Sequence, residues 1–131
     1  MILADTSIWI DLLMHPGRVT RQPLDVDDLV TCGPVIQEVL QGFADTEALP
    51  TFRKRLLSFP CLGDPTPVEL FLKAAEIYRE GRRKGYTIRS ATDCLIAAIA
   101  MEHDAAVWHR DRDYTTIARF TTLKVHTHYL T

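Results

Sequence analysis

A chain of 131 residues, 47% hydrophobic and 24% charged with a formal net charge of −2, is bounded to one domain over residues 1–131, with an ordinary globular balance and a core that needs no covalent staple. Its three cysteines, Cys32, Cys61 and Cys94, are odd in number and widely spaced, which argues against a disulfide framework and a cysteine zinc site. The start Met1-Ile2-Leu3-Ala4-Asp5 meets an acid at once and is not expected to be a signal peptide; no apolar run is long enough to cross a membrane, and the expected location is the cytoplasm.

In chain order, Ile2-Leu3-Ala4 predicts a short buried strand that ends at Asp5. Thr6 or Ser7 can then cap a helix through Ile8 to Leu13. Residues 15–27 hold His15-Pro16-Gly17, Pro23 and several charges without a period, and read as a loop. Leu29-Val30-Thr31-Cys32 predicts a second strand, after which Gly33-Pro34 opens a helix that carries Glu38 and stops near Gly42. Residues 45–58 and 66–84 read as two helices separated by Pro60, Pro65 and Pro67. The second has Leu70, Phe71, Ala74, Ile77 and Tyr78 at helical spacing. Ser90-Ala91-Thr92-Asp93 is a capping-box pattern, and the helix behind it, Cys94 to Met101, is apolar almost all round and therefore buried. Ala105 to Trp108 predicts a strand ending at His109-Arg110-Asp111, and a short helix and a last strand, Leu123 to His126, close the chain. Short apolar strands alternating with helices specify an α/β domain with a parallel sheet.

In a parallel sheet the carboxyl ends of all strands share one edge, where ligands bind. Asp5 follows the first strand directly and Asp111 follows the strand that ends at Trp108. Glu38 lies in the helix after the second strand, and Asp93 in the first turn of the apolar helix. If that helix starts at the same edge, all four carboxylates converge. Such a set repels itself unless cations lie between its members or their pKa values rise. Oxygen ligands alone suit Mg²⁺ or Mn²⁺, as one ion or two, in phosphoryl hydrolysis. Each acid also has an ordinary role open to it: Asp93 as a capping-box acid, Glu38 as a solvated helix residue, Asp5 as a turn or cap, Asp111 and Asp113 as a polar turn. Asp104 ends its helix at the opposite edge and reads as solvated.

At four stretches the chain resembles the PIN-domain family, specifically its VapC group of bacterial and archaeal toxins. These are Leu3 to Ser7, Gly33 to Gly42, Ile88 to Ala98 and His109 to Tyr114, in family order over essentially the whole chain. The resemblance implies a PIN-like three-layer domain with a central parallel sheet flanked by helices. It implies a divalent-metal ribonuclease. The mechanism expected for such an endoribonuclease is hydrolysis of RNA by water activated on Mg²⁺ or Mn²⁺, leaving a 5′-phosphate and a 3′-hydroxyl. Asp5, Glu38, Asp93 and Asp111 would form the catalytic and metal-binding site, with Asp113 as an auxiliary acid and Thr6 or Ser7 offering a hydroxyl. The implied partners are an RNA substrate, a cognate antitoxin protein and a second copy of the chain in a homodimer, for which the helices at 45–58 and 66–84 are the expected interface.

The net charge does not advertise nucleic-acid binding, but Arg79, Arg82, Arg83, Lys84 and Arg89 form a basic stretch just before Asp93. It can grip RNA phosphates, or be a solvated helix end whose cations favour the dipole. Three rival readings stand beside this one. Asp111-Arg112-Asp113-Tyr114-Thr115 matches the D-x-D-x-T pattern of haloacid dehalogenase-like phosphatases, although no acid follows Asp113. His126-x-His128 offers two imidazoles on one strand face for zinc. A non-catalytic PIN-like module that binds a protein or RNA partner is the alternative outside enzymes.

Overall fold

The computed structural model describes residues 1–15 and 25–126. Among these the elements are β1 (Ile2–Ala4), α1 (Thr6–Met14), β2 (Leu29–Cys32), α2 (Gly33–Gln41), α3 (Leu49–Leu57), β3 (Cys61–Leu62), α4 (Val68–Arg83), α5 (Ala91–Glu102), β4 (Ala106–Trp108), α6 (Arg112–Ala118) and β5 (Lys124–His126). A single 3₁₀ turn at Val26–Asp28 leads into β2. Residues 16–24 of the expected loop, and His128 of the expected histidine pair, lie outside the described residues.

All five strands run parallel in the order β3-β2-β1-β4-β5. The central strand, β1, pairs Leu3 with Val30 on one side and with Val107 on the other. The chain therefore winds outward from β1 in one direction through β2 and β3, then in the other through β4 and β5. The strand order switches between β1 and β4, and the crevice at their carboxyl ends is the place where such sheets bind ligands. Leu3, Ala4 and Val107 are fully buried there, which is why these strands are apolar runs without alternation.

Helix α5 supplies the largest block of core, with Cys94, Ile96, Ala97, Ala98, Ile99 and Ala100 all buried. Its small side chains allow α4 to lie close along it, an extensive pairing. Trp9 on α1 meets Phe59 edge to face at 4.7 Å, and Phe43 stacks on Phe52 at 4.1 Å, which ties the α2–α3 segment to the core.

The departures from expectation have local causes. Strand β3 was not expected, because its two residues, set between Pro60 and Gly63, are too few to show a period. The pairing of β3 with Thr31 and Cys32 is made by tertiary structure. The helix expected from residue 45 begins at Leu49, since Asp45 Oδ1 accepts hydrogen bonds from the amides of Glu47 and Ala48 and holds a turn instead. Helix α4 begins at Val68, after Pro67, and β5 at Lys124, with Leu123 buried just before it. Of the five apolar positions expected to face inward on α4, Leu70, Ala74 and Ile77 are buried, while Phe71 and Tyr78 are exposed, as are Val68 and Leu72. Among the described residues no helix is long and apolar enough to cross a membrane.

Ile99 is fully buried at the centre of α5. Its truncation to alanine removes transfer energy and leaves a cavity that close packing cannot collapse. Chemical denaturation of Ile99→Ala is expected to show a loss of about 2–5 kcal/mol.

Candidate active site

Three strand ends and one helix start bring the acids together. The Asp5 amide donates to the Trp108 carbonyl at 2.9 Å, so β1 and β4 stay joined up to the first acid. Asp5 occupies the N-cap position of α1, but its side chain makes no cap hydrogen bond to that helix. Asp111 is the N-cap of α6, and its Oδ1 accepts from the Asp113 amide at 2.9 Å. Glu38 sits in α2, the helix that leaves β2, with its Oε1 buried and without a hydrogen-bond partner.

Asp93 shows how a local signal is redirected. Ser90 Oγ accepts from the Asp93 amide at 3.3 Å, which is half of a capping box. The other half would have the Asp93 carboxylate accept from the Ser90 amide. Instead Asp113 Oδ2 accepts from both the Ser90 amide, at 3.0 Å, and the Arg89 amide, at 3.1 Å. Asp113 therefore caps α5 from another helix and leaves the Asp93 carboxylate for the site. Asp93 Oδ1 accepts from the Tyr114 hydroxyl at 3.0 Å, and Asp93 Oδ2 is buried without a partner. The same hydroxyl lies 3.1 Å from Asp5 Oδ1.

Asp93, Asp111 and Asp113 each offer a carboxylate oxygen within 4.8 Å of the others. Asp5 joins them through Tyr114, and Glu38 through its charge interaction with Asp5 and Asp111. The electrostatic state follows from this crowding. Burial, and next the charge of Asp5, pushes Asp93 up to about 7, against the opposing hydrogen bond from Tyr114. Burial also raises Asp5, opposed by hydrogen bonds from the Thr6 backbone and Tyr114. Glu38 is raised by burial and then by the charges of Asp5 and Asp111.

These residues fit a hard divalent cation. The donors are carboxylate and hydroxyl oxygens, without a sulfur or imidazole shell. Asp93 Oδ2, Glu38 Oε1 and Thr6 Oγ1 are buried polar atoms without hydrogen-bond partners, an arrangement that is costly unless something else satisfies them. The set can hold positive charge, and with it the phosphate of a substrate.

The crevice opens into a cleft of about 620 Å³ lined by Asp5, Thr6, Ser7, Arg110 and Asp111, among others. Of the two hydroxyls expected at the site, that of Thr6 is buried beside the acids, whereas Ser7 Oγ accepts from Arg110 Nε at 3.4 Å. Arg110 also donates to the Ser7 carbonyl and pairs with the buried Asp11 carboxylate. Sequence reasoning missed Tyr114, Arg110 and Asp11. The only available signals were that Asp11 lies four residues after Ser7 on the same helix face, and that Tyr114 lies one turn into the helix capped by Asp111. His109, which had no expected task, packs its ring 5.0 Å from that of Tyr114 and is buried.

The basic stretch divides. The Arg89 amide donates to Asp113 Oδ2, and Arg89 is exposed. Arg82 and Arg83 instead line a separate cleft of about 750 Å³, together with Lys73, Glu76, Arg79 and Glu80, and that cleft shares no lining residue with the acids. Arg83 and Lys84 are paired with Glu80 at 2.6 and 3.4 Å.

The family model described as the PIN domain matches residues 2–120 of this chain. Ribonuclease VapC11 of Mycobacterium tuberculosis and VapC ribonuclease Mb1587 of Mycobacterium bovis are each 36% identical over 130 residues, covering 95% of this chain and 96% of theirs. Among solved structures, VapBC2 from Rickettsia felis bound to a DNA fragment from their promoter has a chain similar at a TM-score of 0.72 and 17% identity, covering 97% of this chain and 98% of its own. VapBC-5 from Mycobacterium tuberculosis, a member of the VapBC family of toxin-antitoxin systems, is similar at a TM-score of 0.62 and 18% identity, with 98% and 97% covered.

The raised pKa of Asp93 has a consequence for stability. Between the ordinary value of 3.8 and about 7 the folded protein keeps a proton that the unfolded chain has released. Stability is therefore lost as pH rises through that window. In chelator, Asp93→Asn is expected to melt higher than the wild type at pH 8, by an equivalent on the order of a few kcal/mol at most. The difference should shrink towards pH 5. Thermal melts across pH check this, and equal melting temperatures at pH 8 would remove the charge strain inferred for Asp93.

Proposed function

The chain belongs to the PIN-domain family, and from that premise we propose that it is a divalent-metal-dependent endoribonuclease, the toxin of a toxin–antitoxin pair. The observation that carries this reading is the group of carboxylates at the β1–β4 switch point, of which Asp5, Asp93 and Asp113 are buried, with oxygens of Asp93 and Glu38 left without hydrogen-bond partners. A chain that only bound a partner would gain nothing from gathering such charges where they repel. The 36% identity to VapC ribonucleases over nearly the full length supports the same activity.

Asp5, Asp93 and Asp111 are the residues that would hold Mg²⁺ or Mn²⁺, as one ion or two, with Glu38 and Asp113 beside them. The bound cation would supply Lewis acidity, making water nucleophilic at neutral pH and offsetting charge on the leaving oxygen. Glu38, its pKa raised by burial and by neighbouring acids, is suited to orient a water and accept its proton. Thr6 offers a hydroxyl within the crevice. Asp113, whose Oδ2 is engaged by two amides, fixes the start of α5 and so the placement of Asp93. Arg110, on the rim of the same cleft, adds positive charge where an RNA phosphate would enter, and Arg89 extends it. Arg82, Arg83 and Lys84 would meet RNA only farther along its backbone.

An antitoxin is the expected protein partner, in keeping with the relatives' VapC identity, and the expected location is the cytoplasm. A homodimer is supported by the apolar surface of α4, where Val68, Phe71 and Leu72 are 67%, 52% and 60% exposed.

Purified protein freed of partners is expected to cut a labelled RNA pool with Mg²⁺ or Mn²⁺ and not in chelator, leaving 5′-phosphate ends. Asp5→Ala and Asp93→Ala, each checked for folding, should lower the rate roughly 100-fold or more, the scale on which loss of one charge-stabilising group acts. Folded wild-type protein that cuts no member of a broad RNA panel with either metal would instead favour the binding module. In the same assay format, Arg89→Ala is expected to flatten the salt dependence of RNA binding by about one unit of slope. An unchanged slope removes Arg89 from the RNA path.

A further inference from the structure

The Tyr114 side chain is fully buried on α6, and its hydroxyl lies 3.1 Å from Asp5 Oδ1 and 3.0 Å from Asp93 Oδ1. It thus links a carboxylate at the end of the central strand to one in the first turn of the apolar helix. These are residues 109 and 21 positions away along the chain. A hydrophobic core position needs only the ring, which already packs against His109. The hydroxyl is what brings a polar atom into this interior, and a buried phenol without an acceptor would be costly. Both of its neighbours are acids, and each engages it through one oxygen. The second oxygen of Asp93 is left buried and without a partner.

We propose that Tyr114 is a positioning residue, whose hydroxyl, anchored at Asp5, holds the Asp93 side chain so that Asp93 offers a carboxylate oxygen, together with Asp111 and Asp113, to one divalent cation. The inference rests on the metal reading of the site and goes beyond it by assigning a role to a residue that is not a ligand. The physical case has two parts. An aspartate alone can turn about two side-chain bonds, and two adjacent anions would turn apart. A shared neutral hydroxyl behind them opposes that motion, and its one proton, donated to either carboxylate, favours the ionised form that a metal needs. Supporting groups of this kind commonly contribute a factor of 10–100 to metal affinity.

Tyr114→Phe keeps the ring and removes only the hydroxyl. Isothermal titration with Mn²⁺, without RNA, is expected to show affinity about tenfold or more weaker than wild type, with a similar far-ultraviolet dichroism spectrum. Cleavage by the variant should fall at limiting Mn²⁺ and recover towards the wild-type rate at saturating Mn²⁺, because the role acts through metal binding. A purely structural role would leave the rate depressed at every concentration. Tyr114→Phe binding Mn²⁺ as tightly as wild type overturns the inference. Wild type that binds no Mn²⁺ removes the metal reading, and this inference with it. Should the variant fail to fold, fluorotyrosine-labelled wild type is titrated with Mg²⁺ and followed by ¹⁹F resonance, with Tyr78→Phe, Tyr86→Phe and Tyr129→Phe identifying the signals of the other three tyrosines. A buried tyrosine signal that shifts with the same midpoint as Mg²⁺ binding supports the role, and one that stays fixed overturns it.

Discussion

The structure is organised around carboxylates that repel each other and are nevertheless held together. Asp5, Glu38, Asp93 and Asp111 come from four different elements, and burial adds to the charge repulsion at Asp5, Glu38 and Asp93. No local preference would gather them. The apolar packing behind them does so: Leu3, Ala4, Val107 and the inner face of α5 are sealed in one core, and the ends of those elements have nowhere else to go. The free energy of burying that core offsets the electrostatic cost at its edge, a relation in which the site is a strained rim on a well-packed body.

Several polar groups serve this rim by taking over work that the acids would otherwise do. Asp113 caps α5 and so relieves Asp93 of that duty. Tyr114 stands between Asp5 and Asp93 as a neutral donor. Arg110 is turned towards Asp11 and Ser7 on α1, which keeps a cation at the mouth of the cleft without placing it among the acids. An arginine inserted among the carboxylates would satisfy them and compete with a metal. Held on the rim, it leaves the inner oxygens available and still makes the entrance less repellent to a phosphate.

This division of charge also resolves the mild contradiction between an acidic chain, with net charge −2, and an RNA substrate. Asp5, Glu38, Asp93, Asp111 and Asp113 share one crevice, where a bound cation would neutralise them. The bases near it, Arg89, Arg110 and Arg112, lie on exposed surface. Those farther along α4 are partly balanced by Glu80. What matters for a nucleic acid is the field that it meets along its path, and net charge reports that only loosely.

The sequence by itself determined most of the element order and singled out four acids as candidates, because those features are written locally. Apolar runs such as Ile2-Leu3-Ala4 and the all-round apolar Cys94 to Met101 state burial without reference to anything distant. Asp5 and Asp111 were legible as site candidates because one directly follows a strand in a parallel design and the other follows a strand after two residues. Strand β3 was not legible, since two residues carry no period and become a strand only when β2 is alongside. The outward turn of Phe71 and Tyr78 was hidden for a related reason: helical spacing gives a stripe, while its inner and outer margins depend on how α5 lies across it. Tertiary structure alone decided that Asp113 serves the Ser90 amide, that Tyr114 joins Asp5 to Asp93, and that Arg110 meets Asp11. Each of these links spans 21 or more residues of chain. A hydrogen bond between distant residues leaves no spacing rule in the sequence, so it exists only once the core has brought its partners within reach.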